Sequence, residues 1–430
     1  MTDGTAGDGD GERERISTRE AADRLGVKPE TLYAYVSRGL LGSRRAAGGR
    51  GSTFDPLEVA ALAARGRAAT AGAPASGDTE GGWGRIRTGI TLIDPAADSY
   101  AFRGVDAVAL AEAYAYEEVA EWLWTGELVP GVHFTAPPAP LAAARAAAGA
   151  LPAGSGPMDR MRVAVIAAGG ADPLRFDLAR DAVLGSARGL IPTLVDALPP
   201  AGGEAVDSAA PIARRLWSRL TARDADPASL RVLDAALALL IDHDLAASTL
   251  AVRVAASARA HPYAAVSAGL GALDGPLHGQ ASALAHRMLR DVLDQGGAGP
   301  VVAAHLRAGQ RVPGLGHRLY RGEDPRARLL LARLAEVPAA ADALAAARDT
   351  VATAARHTPL HANVDLALAV LSVASDMPAE AGEAIFAVGR TAGWVAHALE
   401  EYGERALRMR PTGIYVGPAA PRPLPPGGGR

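Results

Sequence analysis

From about residue 104 onward, apolar side chains recur at three- and four-residue intervals along almost the whole chain. In Ala107 to Trp124, Leu110, Tyr114, Val119 and Leu123 stand near helical spacing, and in residues 229–258 Val232, Leu233, Leu237, Leu240 and Ile241 do the same. Strand alternation is confined to residues 90–102, where Ile90-Thr-Leu-Ile-Asp94 and Ser99-Tyr-Ala-Phe102 flank a turn signal at Asp94-Pro95. One short hairpin ahead of a long helical region predicts an all-α body, without the β–α–β alternation of a dinucleotide-binding sheet.

The pattern changes in front of that body. Residues 1–14 are polar and Gly/Asp-rich and read as a disordered tail, 16–67 as a compact module, and 68–82, rich in Ala, Gly, Pro and Ser, as a linker. The body runs from 83 to 417 and a Pro/Gly tail from 418 to 430. We therefore expect the module and the body to act independently. In the module, Ser17-Thr-Arg-Glu20 has the form of a capping box, and a short amphipathic helix follows through Ala21, Ala22 and Leu25. Gly26-Val27 marks a turn, and Leu32, Tyr33 and Val36 supply the apolar face of a second helix that Gly39 closes. Arg44, Arg45, Gly48, Gly49 and Arg50 form a basic, Gly-rich stretch, and Asp55-Pro56 opens a third helix. This arrangement resembles the winged helix-turn-helix of the MerR and excisionase families. Nine Lys/Arg against five Asp/Glu over residues 16–67 suit phosphate contact, which makes Lys28, Tyr33, Arg38, Arg44, Arg45 and Arg50 the candidate DNA contacts. A helical appendage used for packing or dimerisation fits the same pattern.

Composition removes whole classes of chemistry from the body. The chain has no cysteine, so disulfides, thiolate metal sites and cysteine acyl-enzymes are excluded. Its only lysine is Lys28, which leaves the body without a Schiff-base, pyridoxal-phosphate or P-loop lysine. Apolar residues make up 49% of the chain, enough for a large core, and the net charge of −3 gives no global attraction to nucleic acid. No run of 18 apolar residues and no apolar signal region occurs, so a cytoplasmic protein without a membrane partner is expected.

Three segments stand out from the Ala/Leu background: Gly271-Ala-Leu-Asp-Gly-Pro-Leu-His278-Gly-Gln280, Val312-Pro-Gly-Leu-Gly-His317-Arg-Leu-Tyr-Arg321-Gly-Glu-Asp-Pro-Arg326, and Asn363-Val-Asp365. In the first two, a histidine ends a Gly/Pro-rich turn that leads into a helix, where backbone can approach a ligand and free N–H groups face anions. Two such histidines and a carboxylate suggest acid–base chemistry. The other seven outside Asp242-His243-Asp244, namely His133, His261, His286, His305, His357, His361 and His397, read as structural. No close ligand pair on one helix face supports a metal site, so none is expected.

These segments, in this order and spacing, resemble the citrate synthase family from about Ile90 to Gly417. Phe102-Arg103-Gly104, Tyr116-Glu-Glu-Val-Ala120, Thr125-Gly-Glu-Leu128 and Ile414-Tyr-Val-Gly-Pro418 resemble further family segments. The resemblance implies a citrate-synthase fold, with a large helical domain at about 83–278 and 386–417 and a small one at about 279–385. It implies condensation of acetyl-CoA with oxaloacetate, with no permanently bound cofactor and the coenzyme A ester as substrate. Asp365 would be the base at the methyl carbon, His278 the group that stabilises the enol, and His317 the acid at the ketone. His243, Arg326, Arg390 and Arg410 would hold the oxo acid, Arg410 reaching across a homodimer. Val312, Pro313, Gly314, Leu315, Gly316 and Arg321 fall where coenzyme A binds.

Departures cluster around the pockets. Leu366-Ala-Leu-Ala369 replaces an aromatic followed by Ser-Gly, Leu360-His-Ala362 replaces a proline, Gln280 stands where Gly or Leu is usual, and Thr412 replaces Arg. They bear on the acyl group more than on the reaction. Propionyl-CoA differs by one methylene, worth about 1–3 kcal/mol of discrimination, so 2-methylcitrate synthesis is an alternative. A DNA-binding regulator with a synthase-derived sensor domain is another, although every expected catalytic group is present.

Overall fold

The computed structural model describes residues 16–25, 27–28, 31–32, 35–36, 41–45, 52–56, 58–59, 86–202, 206–275, 278–411, 414 and 416–417. They fall into two compact units, residues 1–80 and 81–430.

The first unit holds β1 (Ile16–Ser17), α1 (Thr18–Leu25), β2 (Ser43–Arg45) and β3 (Ser52–Phe54). The strands form an antiparallel sheet in the order β1-β3-β2, with Ile16 and Ser43 both opposite Phe54. Ile16, Ala21, Leu32, Leu41, Phe54 and Val59 close a small core over it. Ser17 Oγ accepts the Glu20 N–H at 3.3 Å, the N-terminal half of a capping box, while the Glu20 side chain turns to Arg24 at 2.7 Å instead. Lys28 and Arg44 are exposed, and Arg45 ends β2. Tyr33, Arg38 and Arg50, the turn glycine Gly26, the helix stop at Gly39, Thr412 and the expected linker and tails lie outside the described residues.

The second unit opens with a three-stranded antiparallel sheet, β4 (Thr91–Asp94), β5 (Ser99–Phe102) and β6 (Val105–Asp106). The hairpin follows from the sequence pattern, whereas β6 is too short to show in it. Asp94 Oδ1 accepts from Ala96 and Ala97 N–H and so shapes the turn, and the alternate residues Tyr100 and Phe102 point into the core. Helices follow: α2 (Ala107–Ala113), α3 (Tyr116–Thr125), α4 (Pro138–Gly149), α5 (Pro157–Ala171) and α6 (Arg180–Asp196). Next come α7 (Ile212–Leu220), α8 (Pro227–Leu239), α9 (Ala247–Ser257) and α10 (Pro262–Leu273). The chain ends with α11 (Ala281–Gln295), α12 (Ala298–Arg307), α13 (Pro325–Leu334), α14 (Ala341–Ala355), α15 (Val364–Ala374) and α16 (Ala381–Gly403). Among the described residues no helix is long and apolar enough to cross a membrane.

Helix α16 is the axis. It is buried on nearly every face, through Ile385, Val388, Trp394 and Val395, and α6, α8, α9 and α10 pack around it. Tyr116 Oη and Trp124 Nε1 donate to the α16 carbonyls of Val388 and Ala392, each at 2.9 Å, pinning α3 to it. A second group forms where α15 packs against α11 and α13, with α14 covering α11, α12 and α15.

Two helical runs in the sequence are broken by tertiary contacts. The run through Ala107–Trp124 divides at Tyr114, which is extended (φ −134°) and 38% exposed rather than part of a helix face. Glu118 accepts the Ala115 N–H at 2.9 Å and Asp234 accepts that of Tyr116 at 3.3 Å, which starts a new helix there. The run through 229–258 stops at Leu240 because α16 claims its end. Arg390 Nε donates to the Leu240 carbonyl at 2.8 Å, and a Cβ on Gly393 would stand 1.9 Å from the Ile241 oxygen. Only a glycine permits that approach.

Arg215 is buried against Asp196 and also donates to the Phe134 carbonyl at 2.8 Å, which ties α6, α7 and the segment before α4 together. Arg215→Ala leaves the buried Asp196 carboxylate with the longer 3.9 Å contact to Arg219 and is expected to cost about 3–5 kcal/mol. Urea unfolding measures this, and a loss under about 1 kcal/mol, the size of an exposed ion pair, would contradict the structural role.

Candidate functional site

The interruption between α8 and α9 carries His243, which is buried. Asp242 before it accepts from Thr91 Oγ1 at 2.5 Å and faces His397 Nε2 at 3.2 Å, while Tyr100 packs edge-on against the His243 ring at 5.3 Å. Asp244 after it adopts φ 60°, which turns the chain into α9. The β4–β5 hairpin therefore does local work, bracing the segment that presents His243.

The loop from Gln310 to Asp324 brings His317. Gly314 and Gly316 sit at φ +78° and +80°, and the loop is laced to the residues before α15. Gly316 N–H donates to His361 O at 2.8 Å, Asn363 N–H to Gly314 O at 3.0 Å, and Asn363 Nδ2 to Gly316 O at 2.9 Å. Asn363 also caps α15, its Oδ1 accepting from the Asp365 and Leu366 N–H groups. One residue thus fixes the His317 loop and places Asp365 in the first turn of α15.

His243, His317, Arg326 and Tyr320 meet directly. Tyr320 Oη and His243 Nε2 are 2.7 Å apart, the two imidazoles lie edge to face at 5.3 Å, and Tyr320 stacks on His317 at 4.8 Å. Arg326 is gripped by Asp324 through two bonds of 2.9 and 2.8 Å, and its Nη2 lies 3.2 Å from His317 Nε2. His317 Nδ1 accepts from the Leu319 and Tyr320 N–H groups, so the ring proton of a neutral imidazole belongs on Nε2. Two donors, His317 Nε2–H and Arg326 Nη2–H, then converge on one spot, where an oxygen acceptor would satisfy both.

Arg390 completes this pocket from α16. It is 1% exposed, its guanidinium lies 4.4 Å from the Phe386 ring centre, and its Nη1 has no hydrogen-bond partner among the described residues. Burial lowers its pKa to about 10. His278 stands beside the same Phe386 ring, with Nε2 2.8 Å from Ser248 Oγ. Asp365, half-buried, accepts from Ser282 Oγ at 2.6 Å.

The charges set the protonation states. Burial, then Arg326 and Arg390, hold His243 well below the ordinary imidazole value, and burial and Arg390 lower His278. Burial and Arg326 bring His317 down to about 4. Burial pushes the Asp365 carboxyl above the usual range, and the Ser282 bond opposes it. Burial thus disfavours the charged form of all three imidazoles, next to two buried arginines of which Arg326 is paired with the Asp324 carboxylate.

Beside His317 opens a groove of about 650 Å3, walled by Val302, Leu306, Val312, Leu315, Leu360 and the charged Arg311 and Arg318. Of the loop residues singled out in the sequence, Val312, Leu315 and Gly316 face it, whereas Pro313, Gly314 and Arg321 are not in its wall. Arg410 is exposed beyond α16 and touches none of His243, Arg326 or Arg390. Sequence reasoning assigned no role to Ser248, Ser282, Asp324, Tyr320 or Phe386. Asp324 and Tyr320 lie inside the quoted motif and could have been read there, whereas a lone serine on a helix gives no signal.

A mainly helical body with a cationic, histidine-lined pocket is the class that fold and site define. The family model "Citrate synthase, C-terminal domain" matches residues 82–412. The citrate synthase of Haloferax volcanii is 39% identical over 189 residues, 43% of this chain and 49% of its own length. That of Synechocystis is 35% identical over 205 residues, 46% of this chain and 51% of its own length. The chain thus spans about half the length of the curated relatives it matches. The crystal structure of citrate synthase from Pyrobaculum aerophilum superposes with a TM-score of 0.67 at 26% identity, over 80% of this chain and 92% of that one. The Thermotoga maritima enzyme gives 0.63 at 25%, over 81% and 98%. The chain belongs to the citrate synthase family.

The depressed His317 value has a definite sign for stability. An unfolded chain protonates this ring near 6.5 and the folded one only near about 4, so its contribution is intact above 6.5 and is lost as pH falls through that window. His317→Gln, which cannot titrate, is expected to lose less stability than wild type between pH 7 and pH 4. Parallel curves of Tm against pH for the two proteins would contradict the neutral, buried state of the ring.

Proposed function

We propose that the body condenses acetyl-CoA with oxaloacetate to give citrate and coenzyme A. The observation that carries this reading is Arg390, a buried guanidinium whose Nη1 has no hydrogen-bond partner among the described residues, beside a second buried arginine and two neutral imidazoles. Asp324 already pairs with Arg326, whereas Arg390 has no carboxylate in hydrogen-bond contact among the described residues, and a carboxylate of the oxo acid would supply one. A neutral His317 that offers Nε2–H next to Arg326 suits a ketone oxygen flanked by a carboxylate.

In the proposed mechanism Asp365 takes a proton from the thioester methyl group while His278 hydrogen-bonds the enol oxygen as it forms. The carbon made nucleophilic in this way attacks the ketone carbon of oxaloacetate while the neutral His317 polarises the ketone through its Nε2–H. The alkoxide that forms takes up, through water, the proton that Asp365 removed. Water then cleaves the C–S bond of citryl-CoA, releasing citrate and the thiol. His243, Arg326 and Arg390 hold the oxo acid, with Arg410 contributed by a partner subunit of a homodimer. The coenzyme lies along residues 312–316 and Arg321, and the groove beside His317 supports this placement. Closure of the segment 279–385 onto the rest would exclude water from the site. Propionyl-CoA is the alternative acyl donor. The protein acts in the cytoplasm in this reading, and its N-terminal unit contacts DNA, for which the exposed Lys28 and Arg44 are the support.

Thiol release from acetyl-CoA and propionyl-CoA, each with and without oxaloacetate, tests the chemistry without background because the chain has no cysteine. Release that requires oxaloacetate is expected, and the faster ester names the reaction. Asp365→Ala and His278→Ala should each reduce it by about 10²-fold or more. Wild-type rates in either variant, or silence with both esters in folded protein, would sink the synthase reading. In a separate gel-shift assay, the full chain should retard duplex DNA in a salt-sensitive way and residues 81–430 should not. Equal retardation of both would exclude the N-terminal unit as the contact.

A further inference from the structure

Ser282 is the second residue of α11, 3% exposed, at a position where serine usually serves its own helix start. Here its hydroxyl goes elsewhere. It donates to Asp365 Oδ1 at 2.6 Å, joining α11 to α15 across 83 residues of chain. It is the one hydrogen bond that the Asp365 carboxylate receives among the described residues.

Helix α16 closes the other side. A Cβ on Gly382, in its first turn, would stand 2.5 Å from Ser282 Cβ and 3.1 Å from its Oγ, so only a glycine lets α16 approach this far. The serine is wedged between two helices with its hydroxyl aimed at the third. A space-filling residue needs the wedge but not the aim.

We infer that Ser282 is the positioning residue for Asp365: its hydroxyl holds Oδ1 and leaves Oδ2 as the oxygen that takes the substrate proton. This rests on the reading of Asp365 as the base. Rotation about the last bond of an aspartate is soft, so a half-buried carboxylate without a donor presents either oxygen over a broad arc. Proton abstraction from a weak carbon acid tolerates little of that spread. The same bond favours the ionised carboxylate, which burial disfavours, and so keeps the base competent at lower pH.

The test uses Ser282→Ala and Ser282→Cys in the full chain. Cysteine preserves size but donates weakly. Turnover is followed by thioester absorbance, since the cysteine variant reacts with thiol dyes. Both variants should lower kcat by about tenfold, leave KM for the oxo acid within about twofold, and move the acid limb of the kcat profile up by about one pH unit. The Asp365 carboxyl can also be titrated without turnover, as the infrared difference between each protein and its Asp365→Asn counterpart. An upward shift in both variants supports the assignment. An unshifted carboxyl in Ser282→Ala, or wild-type behaviour of Ser282→Cys, overturns it, the latter showing that Ser282 only fills space. If the wild type has no turnover, the synthase reading fails, and the infrared titration still decides whether Ser282 governs the carboxyl.

Discussion

A guanidinium removed from water must be met by an anion, by good acceptors or by a ring face, and this body buries two of them side by side. Arg326 is met by Asp324, which takes both of its bonds and also accepts the Val364 N–H at the start of α15. Among the described residues Arg390 is met by the Leu240 carbonyl, the Phe386 ring and the nearby charge of Asp242, and its Nη1 has no hydrogen-bond partner. The cost of that arrangement is several kcal/mol by general experience with buried ions. Helix α16 bears it because its other residues are packed on nearly every side.

The rest of the site follows from this charge. Burial, reinforced by neighbouring arginines, holds the imidazoles below their ordinary value, so His243, His278 and His317 are hydrogen-bonding groups rather than cations. The break between α8 and α9 exists because Arg390 and Gly393 meet the end of α8, and His243 sits in that break. Asp365 approaches the pocket from α15, whose start is tied to the His317 loop through Asn363. Moving any one of these elements moves a proposed reacting group.

A second buried network runs away from the cleft. Asp242 pairs with His397, whose Nδ1 accepts from Arg253; Arg253 in turn pairs with Glu400 and Glu401, and Arg408 donates to Glu401 at 2.6 Å. It links the residue beside His243 to the chain segment that carries Arg410.

Much of this protein was legible in its residues. Helical spacing predicted the all-α body, the hairpin at 90–102 stood out against it, and the absence of cysteine with lysine only at Lys28 removed competing chemistries. Two Gly/Pro-rich turns singled out His278 and His317, and Asp365 was singled out by the resemblance of Asn363-Val-Asp365 to a family segment. Local pattern could not reveal where helices stop when the stopping contact is distant. The break that presents His243 depends on Arg390, 150 residues away. Nor could it reveal Ser248 or Ser282, ordinary helix residues until packing turns their hydroxyls onto His278 and Asp365. Charge state was equally hidden: an isolated imidazole titrates near neutrality, and the burial that lowers these rings, helped by neighbouring arginines, appears only in the folded chain. Periodicity and turn chemistry act over a few residues and are written in sequence, whereas desolvation and long-range hydrogen bonds exist only once the chain has closed on itself.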